Sequence, residues 1–262
     1  MIWIKVSYAF IIGLCFGSFA NVLIYRLPRN ISVVKPRSAC PTCSKSLTVA
    51  DLIPVFSWLF LRGRCRFCQK RISPRYLLVE LICGLLFTAM VLHSPTLSAI
   101  PLALLAFVLL AVSVIDIDTQ EIPDGLIIFG GAVGIAWVGT GYFFPELFPG
   151  SPNWVYAFIG IAVGALPLFL LDLLTLLILK KDGFGYGDVK LMAMVGLFLG
   201  WQLTLMAFFF AFIIGGIFAA ILIARKKAKR GDYLAFGPFL CMGSLLSFWF
   251  GDALISSYFG FL

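Results

Sequence analysis

The chain reads as long apolar runs separated by short polar breaks. Mostly apolar stretches fall near residues 4–24, 76–97, 99–116, 122–143, 154–179, 188–204, 206–224 and 234–258. About 20 such residues in a helix cross the hydrocarbon core of a bilayer. The pattern therefore predicts an all-α membrane protein of about eight transmembrane helices. The stretch from Leu191 to Ala224 is too long for one crossing and is divided near Trp201 to Thr204. The first run is not read as a removable signal peptide. Its apolar stretch is long, Lys5 is the only basic residue before it, and no clear small-residue cleavage site follows. Only residues 27–75 form a sizeable polar region. The expected organisation is a first transmembrane helix over 1–26, a cytoplasmic loop over 27–75 and a multi-helix membrane core over 76–262.

Composition sharpens this picture. The chain is 61% hydrophobic and 12% charged, whereas soluble domains carry about 25% charged residues. Too few charges remain to cover a water-facing surface. The net charge of +8 would suit nucleic acid, but its distribution argues against that partner. Eleven of the 20 Lys and Arg residues lie between Arg26 and Arg75. The others, apart from Lys5, are Lys180, Lys181 and Lys190, and the cluster from Arg225 to Arg230. The segments 94–98, 144–153 and 259–262 carry none. This is the positive-inside pattern. It predicts both termini outside and the basic segments in the cytoplasm, where they also meet anionic lipid.

Within the polar region lie Cys40-Pro-Thr-Cys43 and Cys65-Arg-Phe-Cys68, with 21 residues between the pairs. Two Cys-x-x-Cys pairs at this spacing predict a four-cysteine zinc site, because each tight turn presents two thiolates to one metal. Disulfides are disfavoured in a reducing compartment. Four sulfur ligands leave no open position, so the metal would be structural and would stabilise a loop too small for its own core. Cys15, Cys83 and Cys241 lie in apolar runs and read as packing residues. Between the pairs, Ile53 to Leu61 is apolar but too short to span. It either lies at the membrane interface with Trp58 as anchor or forms a small core around the metal.

Charges within or beside a membrane span mark function by default. The candidates are Glu80, Asp116, Asp118, Glu121, Asp124, Asp172, Asp188 and Asp252. Asp116 ends an apolar run, and Asp188, in Gly185-Tyr-Gly187-Asp188-Val-Lys190, opens another. The topology puts both at the cytoplasmic edge, on spans expected to be neighbours. The glycines are expected to allow unusual backbone and a close approach. Two carboxylates sharing a site cannot both ionise easily, which supplies a base for a water and an acid for the leaving group. Gly-x-Gly-Asp alone is a weak signal, since these are common turn residues. Lys190 neutralising Asp188 is the structural alternative. The single histidine, His93, makes a Ser-His triad or a His-rich catalytic metal site a poor fit.

Several segments together resemble the type IV prepilin peptidase family. They are Gly17-Ser-Phe-Ala-Asn21-Val with Arg26-Leu27-Pro28, the double Cys-x-x-Cys with Ser57-Trp-Leu and Arg62-Gly-Arg before the second pair, and Ile72-Ser73 through Arg75-Tyr76 to Glu80. Asp116 with Ile122-Pro-Asp124, the Gly185–Lys190 motif and Phe236-Gly-Pro238 complete the series, in order along nearly the whole chain. Asparagine would be expected where Leu52 stands. The resemblance implies a bacterial inner-membrane enzyme with its active site at the cytoplasmic face. It would cleave the basic leader of type IV prepilins and type II secretion pseudopilins after a glycine. Methylation of the new N-terminus with S-adenosylmethionine would follow, an activity that the retained cysteine loop favours. By the resemblance Asp116 and Asp188 would carry the catalytic roles, Asp116 being preferred over Asp118 and Asp124 by its offset to Ile122-Pro123. Gly185, Gly187 and Lys190 are expected at the substrate, and Glu121 or Asp118 is expected to receive the basic leader. No Rossmann signature locates the methyl donor.

Other classes make different demands. A transporter would use intramembrane carboxylates, chiefly Asp172, and inverted repeats that are not evident here. A presenilin-type protease shares Gly-x-Gly-Asp, but Asp116 follows Ile115 rather than tyrosine. A purely structural membrane scaffold leaves the ordered motif series without a purpose.

Overall fold

The computed structural model describes residues 2–94, 96–179, 185–226 and 234–259. Lys180, Lys181, Lys227, Lys229 and Arg230, which carry part of the positive-inside argument, lie outside the described residues. The described chain is helical, without a strand. It divides into two compact units, residues 1–111 and 112–262.

In the first unit, α1 (Ile2–Arg26) and α3 (Arg75–His93) form an antiparallel pair. The register is readable from the contacts: Gly13 lies against Gly84, Gly17 against Glu80, and the Asn21 amide donates to the Tyr76 carbonyl at 3.0 Å. Lipid gives no hydrophobic drive for helices to associate, so small residues that bring backbones together supply the packing. The N-terminal half of α4 (Ala99–Thr119) belongs to this unit and sets Phe107 against Phe16 and Phe19.

The polar loop leaves α1 under the control of Arg26, whose guanidinium donates to the carbonyls of Ser32 at 2.9 Å and Pro36 at 2.7 Å. It contains two turns of the same construction. Cys40 N–H donates to Lys45 and Ser44 N–H to Cys40; Cys65 N–H donates to Lys70 and Gln69 N–H to Cys65. Ser44 and Gln69 take matching left-handed conformations, at φ 55° and 56°. Between the turns, α2 (Phe56–Phe60) is a single short helix.

The second unit holds the rest of α4, then α5 (Asp124–Phe143), α6 (Trp154–Leu179), α7 (Tyr186–Ala224) and α8 (Gly237–Phe259). Seven helices of the described chain are long and apolar enough to cross a membrane. One of them, α7, is 39 residues long. Drawn out straight it would reach about 58 Å, roughly twice the hydrocarbon thickness. Gly200 breaks it with φ 71° and ψ 176°, a conformation essentially confined to glycine. The neighbours show that the chain reverses there. Residues 186–199 run antiparallel to α6, with Gly196 on Gly160 and Met192 on Gly164. A Cβ at Gly160 or Gly196 would collide with the other helix's backbone carbonyl. Residues 201–224 run antiparallel to α8, with Leu203 against Ser247 and Gly251 and Gly215 against Phe236 and Phe239. Both ends of α7 thus return to one side of the unit. Counting its two limbs separately gives the eight segments of the hydropathy pattern, with the break one residue before the expected Trp201 to Thr204.

Candidate active site

The side of the second unit to which α7 returns holds a cavity of about 360 Å³. It is lined by Asp116, Gln120, Glu121, Ile122, Asp124, Gly185, Gly187, Asp188, Lys190 and Phe236. Asp116 and Asp188 are 72 residues apart in the chain and both are buried.

Each carboxylate is placed by a helix end. Asp116 is in the last turn of α4, where its carbonyl accepts from Gln120 N–H at 2.9 Å and Gln120 turns left-handed at φ 55°, ending the helix. Its side chain is fixed from outside: Gly237 N–H, at the start of α8, donates to Asp116 Oδ2 at 3.0 Å. A Cβ on Gly237 would lie 2.6 Å from that oxygen. Only a residue without a side chain brings the first N–H of α8 so close to the acid. Asp188 sits in the first turn of α7, its N–H donating to Gly185 at 2.9 Å. The free N–H groups and dipole of a helix N-terminus suit a carboxylate there.

The two motif glycines differ. Gly187 makes a close approach, since a Cβ there would lie 2.9 Å from Ile122 Cβ. Gly185 has φ −74° and ψ 141°, extended backbone open to any residue, so the expectation of unusual backbone is not met at this position. Lys190 Nζ pairs with Asp124 Oδ1 at 2.7 Å, an exposed ion pair. It is therefore not the neutralising partner of Asp188. Glu121 and Asp124 line the cavity, whereas Asp118 is exposed and absent from its lining. Asp172 is buried in α6, also away from that lining. Phe236-Gly-Pro238 stands out in the sequence as a motif, but nothing in it points to the backbone donor of Gly237. A main-chain N–H leaves no residue-type signal except the glycine itself.

The first unit contains the metal candidate. The four sulfurs of Cys40, Cys43, Cys65 and Cys68 lie within 4.8 Å of one another. The Cys40 and Cys68 sulfurs are 3.8 Å apart, the edge of a tetrahedron with zinc–sulfur bonds of about 2.3 Å and nearly twice a disulfide bond. Backbone hydrogen bonds from Cys43 and Thr42 pull the Cys40 thiol down to about 6, while burial and the neighbouring cysteines push Cys68 up to about 11, so the clustered thiols titrate as one group and the fit to a metal rests on their geometry. The donor set thus fits a structural zinc ion.

Family models match both parts of the chain. The bacterial peptidase A24 N-terminal domain matches residues 11–94, and the type IV leader peptidase family matches residues 102–220. The chain is 34% identical to the prepilin leader peptidase/N-methyltransferase of Stutzerimonas stutzeri, over 97% of its own length and 93% of that protein. It is 34% identical to the protein of that name from Bacillus subtilis, over 96% of its own length and 97% of the relative. No solved structure matches the chain. The apolar helices and these relatives make it a multi-pass protein of the bacterial inner membrane. Over nearly its whole length, the chain belongs to the type IV leader peptidase family.

Proposed function

We propose that this peptidase is an aspartyl enzyme in which Asp116 and Asp188 act as one pair on the leader junction of type IV prepilins and type II secretion pseudopilins. The observation that carries the reading is their common cavity, at the ends of two apolar helices. One carboxylate takes a proton from a water held between them, and that water attacks the scissile carbonyl. The other carboxyl protonates the departing amine. No covalent intermediate is needed. Gly237 N–H orients the Asp116 carboxylate throughout.

The cavity belongs at the cytoplasmic face. Lys190 at the start of α7 and Arg225 and Lys226 just beyond its end stand on the cavity side. The 144–153 segment at the other end of the unit has no Lys or Arg, in keeping with the positive-inside rule. An apolar pilin helix lying in the bilayer presents its leader junction at that depth. Four carboxylates, Asp116, Glu121, Asp124 and Asp188, face the cavity against Lys190, which favours a basic leader. Glu121 is the receiving group best supported by position. Lysine at both Glu121 and Asp118 should weaken cleavage of basic leaders, and unchanged cleavage would contradict this assignment. The relatives' second named activity, together with the cysteine loop, supports N-methylation of the product with S-adenosylmethionine as donor.

The test is incubation of the purified chain with a prepilin, with and without S-adenosylmethionine, and mass spectrometry of the products. Cleavage after the leader glycine is expected, with a methyl group added only when the donor is present. Asp116→Asn and Asp188→Asn should each lower cleavage by about 10²- to 10⁴-fold, the usual worth of a general acid or base. Normal cleavage by either folded variant removes that residue from the mechanism.

A further inference from the structure

Residues 49–60 of the cysteine loop present an apolar surface that the loop does not cover. Val49 and Phe60 are each 84% exposed, Phe56 is 55% and Leu59 is 53% exposed, and Leu52 and Ile53 extend the patch. A core around a metal would enclose these side chains. Instead they point away from the loop. Trp58 alone folds back, with its ring against Gly63.

The depth of this patch follows from one hydrogen bond. Val55 N–H donates to Glu80 Oε2 at 2.7 Å. Glu80 lies five residues into α3 from Arg75, about 7.5 Å along the axis. At 19 residues, α3 is about 28 Å long, close to the hydrocarbon thickness, so its ends lie near the hydrocarbon boundaries. The turn tied to Glu80 is thereby held at or just below the level where headgroups meet acyl chains. That turn is tight: Val55 has φ 65° and ψ −53°, and Phe56 N–H donates back to Pro54 at 2.6 Å. Such a conformation is rare for a β-branched residue, and it launches α2 at the depth of Glu80. Directly after α2 come Arg62 and Arg64, both exposed. An apolar face at the boundary with flanking arginines is the make-up of a segment lying in a membrane interface.

We propose that residues 49–60 are an interfacial anchor that docks the metal loop onto the lipid surface. Val49, Phe56, Leu59 and Phe60 enter the headgroup–acyl boundary of the leaflet where α1 ends and α3 begins, and Arg62 and Arg64 reach anionic headgroups. The bilayer covers the face that the loop's own fold leaves open. The anchor is independent of the peptidase chemistry.

The full chain, reconstituted in vesicles of phosphatidylethanolamine and phosphatidylglycerol with a trace of lipid bearing a diazirine high on its acyl chain, tests this after illumination and peptide mapping. Adducts are expected on residues 56–60 at a level within about threefold of those on Leu78, Ile82 and Leu85, exposed positions of α3 that serve as the lipid-facing reference. Absence of adducts on 56–60 while those on α3 are present overturns the proposal. In a Phe56→Ser, Leu59→Ser, Phe60→Ser variant the loop adducts should fall at least tenfold while those on α3 persist. Unchanged loop labelling in that variant also overturns it. The measurement on the unsubstituted chain stands whether or not the variant folds.

Discussion

The cysteine loop and the helix bundle are ordered by opposite means. The loop has two small turns, few covered apolar side chains and four sulfurs at metal-binding separation. The bundle has no such cluster among its described residues. It is held by helices that meet backbone to backbone at Gly160 and Gly196, and by a reversal that only Gly200 permits. The loop thus has the make-up of a fold that a bound metal would complete, and the bundle that of a fold set by shape. The proposed carboxylate pair needs fixed geometry, and its two aspartates lie in the part of the chain held by close helix packing.

This contrast can be broken at four places. Gly237→Ala attacks the bundle: a methyl group 2.6 Å from Asp116 Oδ2 displaces the carboxylate from its N–H donor. Loss of one oriented donor costs about 10² to 10³ in turnover, so kcat should fall by about that factor with KM nearly unchanged. A wild-type kcat would mean that α8 does not position Asp116. Metal removal attacks the loop. A chelator, or Cys65→Ser, should release hydrogen-exchange protection over residues 39–47 and 64–72 by at least tenfold. Protection over 186–224 should not change. Loss of protection in both regions would show that the bundle also depends on the metal.

The last two tests are finer. Lys190→Ala breaks an exposed ion pair with Asp124, and such pairs contribute about 0.2–1 kcal/mol. Thermal or denaturant unfolding should shift by no more than that, and the pH profile of cleavage should keep its shape. A large change in that profile would restore Lys190 as the partner of Asp188. In the loop, Asp51 is held below the usual carboxylate range, first by the Thr48 hydroxyl and then by Arg66. A lowered folded-state value stabilises the loop above the unfolded value of about 3.9. The contribution is lost as the pH falls through the folded value. Exchange protection of residues 48–52 should therefore drop at the acid end in the wild type and be pH-independent there in Asp51→Asn.

Much of this architecture is legible in one dimension because membrane crossing, thiolate spacing and buried charge each leave a strong local pattern. The apolar runs match the helices, and the paired Cys-x-x-Cys turns match the sulfur cluster. Asp116 and Asp188 stand out as charges at the ends of apolar runs, the family resemblance prefers Asp116 over Asp118 and Asp124, and the fold brings Asp116 and Asp188 to one cavity. What stayed hidden depends on partners far apart in the chain. Nothing in the residues around Lys190 says that it meets Asp124, 66 positions away, and not its near neighbour Asp188. Gly237 acts through its main chain, and no side chain advertises it. For Ile53 to Leu61, a metal core and a membrane interface differ in which way Phe56, Leu59 and Phe60 point, which a run too short for a clear period does not reveal.

The most direct measurement is a double-mutant cycle on the two aspartates, with cleavage of one prepilin followed by mass spectrometry for the wild type, Asp116→Asn, Asp188→Asn and the pair. Groups that work as a unit are strongly non-additive. The double variant should be no slower than the slower single variant, within about a factor of three. If the two losses instead multiply, or if either single variant cleaves at the wild-type rate, the two acids do not form one catalytic pair.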